Sequence, residues 1–230
     1  LRADGQLRPH ADDLPLADDA PAAGRCIGVL ALQGAFAEHA VELRRLGADV
    51  VEVRLPRHLD RVDSLVMPGG ESTTMSKLLV TSGLFDAIAS RLADGTLPVF
   101  GTCAGMILLA DHIEDGRPDQ KSFCALNISV QRNGYGRQID SFEAPLLLAG
   151  AEATDTPFTA VFIRAPKITS AGPDVDILAS HEGVPVLVAH GPVMASSFHP
   201  ELTGDTRFQR LFVEQVREVQ SARTTSEVAS

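Results

Sequence analysis

The chain has 230 residues, 44% of them hydrophobic, and a formal net charge of −10. That is enough apolar material for one sizeable core, and the acidic balance excludes electrostatic binding to nucleic acid or an anionic membrane. Three widely spaced cysteines offer neither a disulfide framework nor a zinc spacing. With no bilayer-length apolar run and no signal-peptide plan, a cytoplasmic protein is expected.

Residues 1–25 are rich in Asp, Ala and Pro and lack a useful period. They are expected to form a disordered N-terminal extension, with a short partner-docking segment as the other reading. The run "CIGVLAL" (26–32) reads as a strand buried on both faces. In "FAEHAVELRRLG", Phe36, Ala40, Leu43 and Leu46 form a helical stripe and Gly47 a stop. Next come a strand in "DVVEVRL" and another in "SLVMPGG" (64–70), then helices in "ESTTMSKLLVTSG" and "LFDAIASRLADG". "LPVFG" predicts a strand and "CAGMILLADHI" a helix.

After Asp115 the texture changes to short strands separated by Gly, Pro and Asn: "ALNISVQRNGYGRQIDSFEA", "FTAVFIRAP", "DVDILAS", "VPVLVAHG" and "VMASSF". They read as a mixed or antiparallel region added to the same sheet. "DTRFQRLFVEQVREV" closes the fold as an amphipathic helix with Phe208, Leu211, Phe212, Gln215 and Val219 along one side. The expected fold is α/β, a three-layer sandwich with a mostly parallel central sheet flanked by helices and antiparallel strands in the C-terminal half. One domain is expected over residues 26–220, followed by a flexible tail at 221–230.

Three motifs carry chemistry. Gly101-Thr102-Cys103-Ala104-Gly105 has the form G-x-nucleophile-x-G between a strand and a helix. Such a sharp turn projects the thiol, and side chains two positions away would collide. The helix N-terminus favours thiolate and offers N–H groups to an oxyanion. The bland alternative is a small buried hydrophobe, which is the better reading for Cys26 and Cys124. In "SSFHPEL", His199 and Glu201 project to one side of an extended chain, and Pro200 keeps His199 out of helical geometry. A carboxylate beside imidazole fits a triad, although alone the motif also fits a turn entering a helix. Third, "MPGGESTTM" ends a strand in Pro68-Gly69-Gly70 and opens a helix with Glu71 and Ser72. It reads as a ligand-approaching loop or as a glycine turn with an N-cap, and it lacks the form of a phosphate loop.

Together these motifs resemble the class I, triad-type glutamine amidotransferases. "LALQGAFAEH", "MPGGESTTM", "FGTCAGM", "RNGYGRQIDSFEA", "FIRAP" and "SFHPEL" further resemble the glutaminase subunits of pyridoxal 5'-phosphate synthase, over roughly Ile27 to Val219. The resemblance implies Cys103 as nucleophile, His199 as proton carrier and Glu201 as its orienting group. It implies backbone N–H groups of Gly70 and Ala104 as the oxyanion hole. Gly70, Glu71, Ser72, Arg132, Ile163 and Arg164 would bind L-glutamine. It further implies a (β/α)8-barrel synthase subunit as the partner that receives the ammonia, with no cofactor or metal in this chain. Gln33 falls in the region such proteins use near the partner. The alternatives are a glutaminase subunit serving another biosynthesis, a catalytically dead regulatory module, and a γ-glutamyl cysteine hydrolase. The presence of Cys103, His199 and Glu201 argues against the dead module.

Overall fold

The computed structural model describes residues 20–135, 141–149 and 156–228. The first 19 residues of the expected extension and part of the "RNGYGRQID" segment lie outside them.

In chain order the elements are β1 (Cys26–Leu30), α1 (Phe36–Arg45), β2 (Asp49–Val53), α2 (Pro56–Leu59), β3 (Ser64–Met67), α3 (Ser72–Thr81), α4 (Leu84–Ala93), β4 (Val99–Thr102) and α5 (Ala104–Leu109). There follow β5 (Ala110–Ile113), β6 (Leu126–Gln131), β7 (Ser141–Leu146), β8 (Phe158–Ile163), β9 (Lys167–Ala171), β10 (Asp176–His181), β11 (Val184–His190), β12 (Val193–Ser196) and α6 (Arg207–Val228).

Seven strands form the central sheet in the order β10-β11-β12-β4-β3-β1-β2. The pairs from β12 to β2 are parallel, and β10 and β11 add an antiparallel edge. Alternation along each strand splits the core into two layers. Leu65, Met67 and Val99 pack on the face that also buries Met75, Leu79 and Ile88. Val66 and Phe100 pack on the opposite face with Leu43, Phe208 and Phe212. Helices α3, α4 and α5 thus cover one face, and α1 and α6 the other. Among the described residues no helix is long and apolar enough to cross a membrane.

The three-layer expectation holds, with corrections. The later strands do not all join one sheet: β5-β6-β9 form a separate sheet and β7-β8 a hairpin. The helix expected in "CAGMILLADHI" stops at Leu109, and Ala110–Ile113 pairs with β6. All six residues of α5 are buried while Asp111 and His112 are exposed, so no helical stripe continues. Residues 20–25 are not an extension but part of the fold: Ala22 is fully buried and its N–H donates to the Leu46 carbonyl at 2.9 Å. Helix α6 runs to Val228, past the tail boundary expected at 221, because nothing after Gly204 is Gly or Pro. Its buried side is Phe208, Phe212, Val213 and Val216 rather than a stripe through Gln215 and Val219.

Candidate active site

Four loops meet at the carboxyl edge of the parallel strands, where open α/β sheets place their ligands. They follow β1, β3, β4 and β12. The register sets Ser196 beside Thr102, and Met67 beside Gly101, so the loops leave the sheet at one level.

Cys103 links β4 to α5 with φ 50° and ψ −101°, a region that non-glycine residues rarely occupy. Its N–H donates to the Ser196 carbonyl at 2.8 Å, which ties the turn to β12. The need for glycine at 101 is steric: a Cβ there would meet the carbonyl carbon of Gly105 at 2.7 Å. Ala104 opens α5, whose first N–H groups have no intrahelical partner.

His199 follows β12, and its N–H donates to the Val161 carbonyl at 2.8 Å. Phe198 beside it is anchored among Phe158, Phe162 and Phe208. His199 Nδ1 lies 2.8 Å from Glu201 Oε1, and the Glu201 side chain is fully buried. Burial would push the imidazole pKa down, but hydrogen bonding to Cys103 and Glu201 outweighs it and holds the ring at about 10. Burial pushes Glu201 up, and His39 and His199 beside it more than reverse that, leaving it below the ordinary carboxylate range. The loop after β3 packs on the ring: a Cβ on Gly69 would stand 2.3 Å from His199 Cε1.

A cavity of about 370 Å3 opens over Cys103 and His199. Gly70, Glu71, Ser72, Arg132, Ile163 and Arg164 all line it. Glu71 caps α3, its carboxylate accepting from the N–H groups of Thr73 at 3.1 Å and Thr74 at 2.7 Å. Burial opposes ionisation there, but these bonds and one from the Thr74 hydroxyl at 2.7 Å together outweigh it and hold Glu71 at about 2. Arg132 Nη2 stands 3.6 Å from Glu71 Oε1, and Nη1 donates to Thr73 Oγ1 at 3.1 Å. Ser72 is not the cap; its hydroxyl accepts from Gln120 Nε2 at 3.1 Å. Arg164 has φ 42°, a second strained residue at the cavity.

Sequence reasoning gave no role to Asn133 or His39, and placed Gln33 only near the partner. Asn133 lines the cavity. Gln33 Oε1 accepts from the Glu71 N–H at 2.8 Å, and the neighbouring Ala35 N–H donates to the Gly69 carbonyl at 3.1 Å. His39, fully buried on α1, reaches the far side of Glu201. Its signal was available: position 39 lies three residues after Phe36 and four before Leu43, on the apolar stripe. Among the described residues no group of three or more His, Cys, Asp or Glu is arranged to hold a metal ion.

A cysteine on a strained elbow, sharing a cavity with an imidazole hydrogen-bonded to a buried carboxylate, is a layout that fits a glutamine amidotransferase. A solved structure of a glutamine amidotransferase shares that fold, with TM-score 0.77, 47% identity and coverage of 83% of this chain and 98% of that one. The chain belongs to the SNO glutamine amidotransferase family, which it matches over residues 29–218. It is 52% identical over 191 residues to the pyridoxal 5'-phosphate synthase subunit PdxT of Mycobacteroides abscessus, covering 83% of this chain and 97% of that protein. The PdxT of Thermotoga neapolitana is 49% identical over 83% of this chain and 99% of its own length.

Proposed function

We propose that this chain is the glutaminase subunit of a cytoplasmic pyridoxal 5'-phosphate synthase, hydrolysing L-glutamine and passing the ammonia to a (β/α)8-barrel partner. The observation that carries the reading is the buried Glu201–His199 pair, joined at 2.8 Å, with His199 and Cys103 lining one cavity.

In this reading the Cys103 thiolate attacks the side-chain amide carbon of glutamine. The carbonyl π electrons move to oxygen, where the backbone N–H groups of Gly70 and Ala104 receive the charge. As the C–N bond breaks, His199 gives its proton to the departing nitrogen and ammonia leaves a γ-glutamyl thioester. Water, deprotonated by His199, attacks the thioester; glutamate departs and the thiolate returns. Glu201 keeps the ring oriented throughout. Arg132 and Arg164 suit the α-carboxylate of glutamine, with Glu71, Ser72 and Ile163 completing the subsite.

The test is glutamate release by the full chain, with and without its cognate synthase subunit, at saturating glutamine. The complex should turn over, Cys103→Ala should abolish turnover, and Glu201→Gln should fall between them. The free chain should be slower, because losing one oxyanion donor costs on the order of 100- to 1000-fold. The Gly69 carbonyl accepts from the Ala35 N–H at 3.1 Å, and a turn of the Gly69–Gly70 peptide would re-aim the Gly70 donor. Full turnover by Cys103→Ala sinks the reading.

A further inference from the structure

Glu201 presents two oxygens to the interior. Oε1 is bonded to His199, whereas Oε2 has no hydrogen bond of good geometry and faces His39 Nε2 at 3.3 Å. Both side chains are fully buried. A buried carboxylate oxygen left without a donor costs about 1–3 kcal/mol or more, so what stands opposite Oε2 matters.

His39 Nε2 also lies 3.1 Å from Thr102 Oγ1. Its other nitrogen, Nδ1, is buried without a partner. These contacts determine the tautomer. A proton on Nδ1 would bury an unpaired N–H and turn the Nε2 lone pair toward a carboxylate. A proton on Nε2 points a donor between Thr102 Oγ1 and Glu201 Oε2 and leaves only an acceptor unpaired, the less costly defect. A second proton is disfavoured: complete burial holds this imidazole pKa below its ordinary value against the pull of Glu201. With one proton or two, the group facing Glu201 is an Nε2–H donor.

We propose that His39 is a positioning residue for the catalytic reaction: its Nε2–H holds the second oxygen of Glu201, so that the first stays aimed at His199, and ties that carboxylate to Thr102 beside the nucleophile. The proposal rests on the triad reading given above. It assigns His39 no contact with glutamine. It adds to the catalytic chain an element from α1, the helix that begins just after Ala35, whose N–H holds the Gly69 carbonyl.

The role predicts a particular pattern of kinetics. Removing the donor should impair the step that needs an oriented imidazole and leave glutamine binding alone. In the full chain with its synthase subunit, His39→Leu should lower kcat on the order of 10- to 100-fold, the range for outer partners that orient a site histidine. KM should stay within about twofold. His39→Gln, whose amide nitrogen reaches the place of Nε2, should recover most of that loss, and His39→Asn, one atom shorter, should not. If His39→Leu does not fold, the Gln and Asn variants still separate a donor from a space-filler.

The decisive measurement is a double-mutant cycle. If His39 acts through Glu201, His39→Leu in a Glu201→Gln background should cost little beyond Glu201→Gln alone. Independent, multiplying losses would overturn the proposal, as would equal kcat values for the Gln and Asn variants. A wild-type complex that hydrolyses glutamine alongside an equally active His39→Leu removes only this proposal. A wild-type complex that does not hydrolyse glutamine removes the triad reading and this proposal together.

Discussion

A Cβ placed on Gly105 would stand 2.1 Å from the carbonyl oxygen of Met67. The first turn of α5 therefore lies directly on the end of β3, and the closing glycine of the elbow is a packing requirement between two elements. Gly105→Ala must push helix and strand apart or tilt the elbow. Overpacking of this kind costs about 1–3 kcal/mol. A denaturant titration should show that loss, and glutamate release should fall by more than the stability change explains. A stable, fully active Gly105→Ala would mean that the elbow tolerates looser packing.

The His199 pair gives a signed pH prediction. A group raised from 6.5 to about 10 in the folded chain stabilises it fully below pH 6.5, and that contribution is lost as pH rises through about 10. Glu201, depressed below 4.5, contributes fully above that value and loses its effect as pH falls. Cys103→Ala removes one of the causes that raise His199. The stability gap between wild type and Cys103→Ala should be widest near pH 6 and should close by about pH 10. Urea midpoints at several pH values test this; a pH-independent gap would leave only the packing cost of the lost sulfur.

Glu71 offers a prediction about helix α3. Glu71→Ala removes the cap from Thr73 and Thr74 and takes the carboxylate from beside Arg132. The cap is worth about 1 kcal/mol, or roughly 2–4 °C in Tm for a chain of this size. Since Glu71 is held at about 2 when folded, its effect should be complete above pH 4.5 and fade as the pH drops toward about 2. Melting curves of wild type and variant at pH 3 and pH 7 check this. An equal difference at both would deny the carboxylate its role.

The boundary of the fold can be tested by trimming. A chain starting at residue 20 and one starting at residue 25 differ by Ala20–Gly24, which includes the buried Ala22 and its bond to Leu46. The shorter chain should be less stable by about 1–2 kcal/mol, from one small apolar side chain and one hydrogen bond. Identical denaturation midpoints would return Ala20–Gly24 to the extension.

How much of this was legible in the sequence depended on how local each signal was. The elbow could be read because its glycines and its cysteine lie within five residues and share one steric cause. His199 and Glu201 were legible for the same reason. The contact of Glu201 to His39 was not, although the place of His39 on the apolar stripe was, because α1 lies some 160 residues earlier and a polar residue on a helix has many fates. The strand β9 was missed since only Ile168 of Lys167–Ala171 is buried, which leaves no alternation to detect. Ala22 was misread because alanine and proline look alike in a tail and in a packed turn. The parallel core strands were clear because burial on both faces leaves continuous apolar runs.

Strand β12 sits in the interior of the sheet, between β4 and β11, yet comes from residues 193–196. A nascent chain that has reached residue 190 already contains the whole elbow. It lacks the Ser196 carbonyl that receives the Cys103 N–H, and it lacks the imidazole. Until the last strand inserts, β4 is an open edge and the Cys103 N–H lacks its acceptor on β12. In the reading proposed above, competence therefore needs the long-range pairing of β12 with β4 as well as synthesis of Cys103. A stalled or clipped product ending before residue 193 lacks His199 and Glu201 and, in that reading, should release no glutamate.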